Sequence, residues 1–319
     1  MRRSDVIHLA LMLLAFAAAY VLPFELLLLA YVVLGPAHYL SEISWLHDRK
    51  YFLPHRGIAA ALVILAVVAI LMTSTSWLGF IAWSALIGCA MLAATTSAAE
   101  GVLVFIAALV LSALVLSSGS SFALIGVLLP TLVHVSLFTL VFMALGAYRS
   151  ASRMQAFLVV AYVLAVAIIL ALPPTAEVRI PAFASAAQEY FENVGPALGK
   201  LFGAPDLKLD TRLTSLLAFV YTYHYLNWFI KVDIIRWADV PRARLAMMVA
   251  ASVGATALYF YEYTWGFILL LVLSLAHVLL EFPLNALSVR QLGGVAASGL
   301  HAALAGKTAE APRRSRARR

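Results

Sequence analysis

Residues 265–284 read WGFILLLVLSLAHVLLEFPL. The run is long enough to cross a bilayer's hydrocarbon core, which takes about 20 apolar residues. It nevertheless carries an imidazole, His277, and a carboxyl, Glu281. Ionisable groups at such depth are costly, and they face a protein interior or a cavity rather than lipid. The segment therefore reads as a transmembrane helix that bears part of a site.

Working outward, similar apolar runs occur at 6–22, 24–46, 57–72, 77–95, 100–117, 122–148, 154–172, 213–238 and 243–262. The 319 residues are 64% hydrophobic and only 12% charged, with a mean hydropathy of +0.97. Soluble domains carry about 25% charged residues, so lipid is the main solvent here. The expected fold is all-α: a polytopic transmembrane helical bundle of about ten spans over residues 1–306, followed by a basic tail at 307–319. The 285–305 segment, with Arg290 and Gly293-Gly294, reads as a separate surface helix.

Lys and Arg set the orientation. With the N-terminus inside, every basic residue falls in an inner segment except Arg179, Lys200, Lys208 and Arg212. Those four share one long outer segment, 173–212, so both termini are expected on the cytoplasmic side of a bacterial inner membrane. In that segment Phe183, Tyr190, Phe191, Val194, Leu198 and Leu201 recur at helical spacing, which predicts an amphipathic surface helix. Arg2 and Arg3 before an apolar run with no cleavage site predict an uncleaved first helix. The net charge of +7 sits in loops and in the tail Arg313–Arg319. That distribution suits anionic lipid rather than nucleic acid, for which no recognition module is present. Cys89 is the sole cysteine, so no disulfide can form within the chain. Oligomeric state is not legible.

His277 is not alone. His38, His134 and His224 also lie deep in predicted spans, and the four helices run the same way. Their depths, roughly 16–21 Å from the outer ends at 1.5 Å per residue, coincide. Glu42 follows His38 by four residues, as Glu281 follows His277, so each pair shares a helix face. Such a carboxylate can ligate a metal or fix an imidazole's tautomer. In these positions Glu42 and Glu281 are the expected catalytic groups, and the four histidines the expected metal ligands. Tyr225 and Asn227 flank His224 as expected cofactor neighbours. Gly35-Pro36 and Pro130 each precede a histidine by about a turn and would loosen the helix there. His8, His47, His55 and His301 read as interfacial. So does Glu100, while Tyr259, Phe260, Tyr261, Tyr263 and Trp265 read as an aromatic belt. The histidine boxes of membrane desaturases, the zinc-peptidase motif, the Walker lysine loop and the Gly-x-Ser-x-Gly elbow are absent. Isolated intramembrane histidines can also serve only as interhelical hydrogen bonders.

The order Gly35-Pro36-Ala37-His38, His134, His224 in an aromatic-rich span, and Ala276-His277 with Glu281 resembles the membrane β-carotene dioxygenase (Brp/Blh) family. The chain differs from it at Ala37, Trp228 and Ala276. The resemblance implies a non-haem iron held by intramembrane histidines and oxidative chemistry on a hydrophobic isoprenoid or lipid. Haem A synthase is similar in its intramembrane histidines and turn-spaced glutamate. That likeness implies haem b as an alternative cofactor, for electron transfer or haem processing, with His38 and His224 as an axial pair. A third alternative is a non-catalytic assembly factor or lipid transporter.

Overall fold

The computed structural model describes residues 3–53, 56–71, 75–92, 97–117, 129–172, 174 and 211–304. These form ten helices and no strand. They are α1 (Arg3–Val21), α2 (Pro23–Asp48), α3 (Arg56–Leu71), α4 (Thr75–Leu92) and α5 (Ala98–Ser117). Then come α6 (Leu129–Phe138 continuing into Thr139–Ser150), α7 (Arg153–Ala171), α8 (Thr211–Ile230), α9 (Arg242–Tyr261) and α10 (Tyr263–Leu304). Each corresponds to one predicted apolar run. Six of them, α1, α2, α6, α7, α9 and α10, are long and apolar enough to cross a membrane by length and composition. Shorter apolar helices lie at Gly57–Leu71, Gly79–Leu92 and Ala99–Val115.

Two boundaries differ from expectation. The predicted run 213–238 stops as a helix at Ile230 and resumes only as a turn, Val232–Ile235. The expected separate helix at 285–305 is a continuation of α10, which passes through Pro283 without ending. Proline removes one backbone donor and kinks a helix, but packing on both sides of Pro283 holds the segment together, with Phe282 and Asn285 fully buried. The predicted amphipathic helix in 173–212 and the tail at 307–319 lie outside the described residues, apart from Pro174 and from Thr211 and Arg212 at the start of α8.

Local rules explain several helix starts. Ser97 and Glu100 form a reciprocal capping box on α5, with both side chain to backbone distances 3.2 Å. Glu100 is thus a cap rather than only an interfacial charge. Ser152 caps α7 by accepting from the Gln155 amide. Glu262 alone joins α9 to α10, and its carboxylate accepts from the Trp265 amide at 2.8 Å. The turn is so tight that a Cβ on Gly266 would fall 2.3 Å from the Tyr259 Cα. Of the expected aromatic belt, Phe260, Tyr261 and Trp265 point outward, whereas Tyr259 is only 3% exposed and Tyr263 stacks on Phe267.

α8 is the central pillar. It packs on α1, α2, α6 and α7, and nearly all of Leu213–Trp228 is buried. α10 contacts α2, α3, α4, α6 and α9, while α4 and α5 form a hairpin on the outside. One apolar core gathers around α1, α7 and α8, and a second around α3, α4 and α10. The polar residues lie between the two. Outward faces are apolar, as on Val102, Leu103 and Ile106 of α5 and Val249 and Val253 of α9, which suits a lipid bilayer.

Candidate metal centre

The two helix irregularities foreseen near histidines are both π-helical. Ala30–Leu34 is a π-turn directly before Gly35-Pro36, and Leu129–Phe138 is π-helical around His134. π-Turns inside longer helices are frequent at functional sites. Pro36 lacks an N–H, which leaves the Val32 carbonyl four residues earlier without its helical donor. Thr256 of α9 supplies one, its hydroxyl donating to Val32 O at 2.8 Å. The distortion is therefore supported from the neighbouring helix rather than left unsatisfied.

α2, α6, α8 and α10 bring His38, His134, His224 and His277 together. One ligand nitrogen from each lies within 4.8 Å of every other, and all four residues are buried, at 1%, 1%, 7% and 2% exposure. The rings stand edge to face around a common point. Centroids are 4.8 Å apart for His38–His224, 5.0 Å for His134–His224, 5.1 Å for His134–His277 and 5.4 Å for His38–His277. Four nitrogens about 2.1 Å from one ion at tetrahedral angles are about 3.4 Å apart. A quartet within 4.8 Å is thus a slightly open version of that arrangement, and these histidines could hold a metal ion.

The surroundings fix the rings. Thr139 Oγ1 lies 2.6 Å from His224 Nδ1. With Nδ1–H donating there, the Nε2 lone pair turns to the centre. His224 Nε2 is 3.1 Å from His38 Nε2, a separation that two neutral lone pairs tolerate only with a proton or cation between them. Glu42 Oε2 is 3.0 Å from His38 Nε2, so the expected intrahelical pair forms. Glu281 departs from expectation. Its Oε2 lies 3.1 Å from His134 Nδ1 on α6 rather than on His277 one turn away. His277 instead stacks on Tyr39 at 4.3 Å, which keeps it turned from its own helix's carboxyl. The two carboxyls also lie near each other, with Asn285 beside Glu281 and the Asn285 amide atoms buried without hydrogen-bond partners. His134 Nε2 is buried without a hydrogen-bond partner, as are His38 Nδ1 and Asn227 Oδ1. Such orphaned atoms are costly in a native interior. For His134 Nε2 a metal bond removes the cost, so the donor set fits an ion.

Tyr225 packs its ring 4.7 Å from His38, while its hydroxyl bonds that of Tyr39 at 2.7 Å. Asn227 lines a cavity of about 800 Å³ that reaches His38, His224, Glu42 and Glu281. Three contributors were not singled out from sequence. Thr139 is an ordinary helical threonine until its partner is seen. Trp228 donates to Ser41 Oγ at 2.9 Å, and Ser41 donates to the His38 carbonyl at 3.0 Å. His8, expected at the interface, is 8% exposed and lies in the cavity wall, because the first turns of α1 are covered by other helices.

No family model, curated protein or solved structure matches the chain.

Proposed function

We propose that the chain is an integral membrane metalloenzyme in which His38, His134, His224 and His277 hold one transition-metal ion. Non-haem iron is the working assignment, and the substrate is a hydrophobic isoprenoid or lipid. The observation that carries this is the convergence of four buried imidazoles from four separate helices. The likeness in histidine layout to the membrane carotenoid dioxygenases supports iron and an apolar substrate. In the same proposal all ten helices span a bacterial inner membrane, with both termini on the cytoplasmic side, following the distribution of Lys and Arg.

Iron in such a site supplies dioxygen activation. The chain's own residues do the rest. Thr139 accepts the Nδ1 proton of His224, which fixes that tautomer and aims Nε2 inward, and the Glu281 carboxyl lies beside His134 Nδ1. Glu42 Oε2, at the coordinating edge of His38, can complete the ligand set or hold a proton there. Tyr39 and Trp228 wall the rings and exclude water, which strengthens every charge interaction inside. Haem between His38 and His224 is the less favoured alternative. The two nitrogens are only 3.1 Å apart, and the His134 and His277 nitrogens close round the same point, which leaves no space for a macrocycle between them.

Purification in mild detergent, metal analysis by mass spectrometry and a visible spectrum test the proposal. About one iron per chain without a haem Soret band is expected. A Soret band would move the case to haem. No metal after reconstitution with iron, zinc or copper would overturn both.

A further inference from the structure

The cavity below the histidines is polar at both ends and mainly apolar in between, and the order repeats on four of the six helices that line it, with His8 of α1 and Asn227 of α8 also in the wall. On α2 it meets His38 and Glu42, then Trp45, then Arg49. On α6 it meets Thr139, then Phe142 and Met143, then Arg149. On α8 His224 is followed by Trp228 and Lys231, and on α10 Glu281 is followed by Leu284 and Gln291. Contacts fix these helices as parallel. His38 meets His224 at one level and Trp45 donates to Ile235 O at another, while His134 meets Glu281 and Arg149 meets Gln291. Along the helices the site and the rim are about 10–16 Å apart.

The cations at this rim differ from those just outside it. Arg244 pairs with Asp48 at 2.7 Å and Arg236 with Asp239 at 2.5 Å. Among the described residues, Arg49, Arg149 and Lys231 have no carboxylate within ion-pair distance. Arg49 lies over the Trp45 ring at 4.4 Å, and Arg149 donates to the Gln291 amide oxygen. Among the described residues, the one carboxylate lining the rim is Asp5, 2% exposed, with Gln155 Nε2 at 3.5 Å. Among the described residues, three cations therefore share a mouth with one anion, above a mainly apolar collar that leads to the metal-type centre.

We infer that the molecule reaching the centre is an amphiphile with an anionic head group, an inference that rests on the metal centre proposed above being the working site. The carboxylate or phosphate head sits on Arg49, Arg149 and Lys231. The chain threads past Trp45, Phe142 and Trp228, and its far carbons reach the histidines. Charge-assisted hydrogen bonds from guanidinium groups to such a head are among the stronger ones available. The collar keeps water from following the chain inward. The substrate is thus held at one end by charge and presented at the other by length, so the position attacked is counted from the head group.

The test uses the full chain in nanodiscs of neutral phosphatidylcholine, with radiolabelled dodecyl phosphate as the probe. Dodecanoate, dodecanol and inorganic phosphate serve as competitors, and iron content is measured on the same samples. Saturable binding near one per chain is expected. Dodecanoate should compete, and dodecanol should be at least about tenfold weaker. Inorganic phosphate should fail to compete over the same range. Lys231→Met and Arg149→Gln should each weaken dodecyl phosphate several-fold, with unchanged helicity and iron content. Equal competition by dodecanol would overturn the anionic head group, and cations serving only membrane topology would give that result. Equal competition by inorganic phosphate would overturn the amphiphile. Unchanged binding in the Lys231→Met, Arg149→Gln double variant would overturn the seat itself, and that variant needs only to reach the membrane folded. Iron bound without head-group preference sinks this inference and leaves the metal centre standing. Head-group preference without any bound metal sinks the centre instead.

Discussion

α5 and α8 have the same length, 20 residues each, and opposite fates. α5 turns Val102, Leu103 and Leu114 outward at 61%, 68% and 57% exposure and buries only a small-residue stripe that includes Ala108 and Ser112. α8 buries almost everything, including Thr214, Ser215, Thr222, His224 and Asn227. A soluble protein would hide the greasier helix. Here lipid tails are as apolar as leucine, so what needs the interior is the polar helix. The comparison locates function on the helix that is least suited to face lipid.

The largest expected difference between the two helices is at the centre. His224→Ala in α8 should remove nearly all bound metal, as should His134→Ala, whereas Ser112→Ala in α5 should leave metal content at the wild-type level. Mass spectrometry of purified protein measures this, and a His224→Ala variant with full metal would break the comparison. Next in size, Phe219→Ala should destabilise the folded protein by about 3–5 kcal/mol, because the ring is fully buried between helices. Detergent unfolding followed by circular dichroism checks it. Thr139→Val keeps the shape of the side chain but removes the acceptor for His224. It should lower metal affinity about 10–100-fold, read by competition with a chelator. The smallest effect is on the lipid face. Leu103→Ala should shift stability by within about 0.5 kcal/mol, and a larger shift would mean that this face meets protein rather than lipid.

The helical architecture was legible because each apolar run is long and the alternatives are few: backbone in lipid must satisfy itself, and helices do so. The four histidines were legible for a related reason, since imidazoles are rare in such runs and these fell at one depth. What escaped was lateral. Spacing placed Glu281 on the same face as His277 but could not show that α6 would bring His134 closer to that carboxyl, at 3.1 Å. Thr139 was invisible for the same reason, because its role depends on the rotation of α6 against α8, which packing sets. His8 reads as interfacial from its nearness to the inner end of its span, and its burial in the cavity wall escaped because the covering helices come from distant sequence. The 285–305 segment reads as separate because Arg290 and Gly293-Gly294 interrupt its apolar pattern, yet α10 continues through it as one helix.

X-ray absorption at the metal edge of the purified protein tests the central claim most directly. The prediction is about four imidazole nitrogens at roughly 2.0–2.2 Å, with the multiple-scattering pattern of histidine rings. A first shell of oxygens only, a porphyrin pattern, or an edge absent because no metal binds would contradict it.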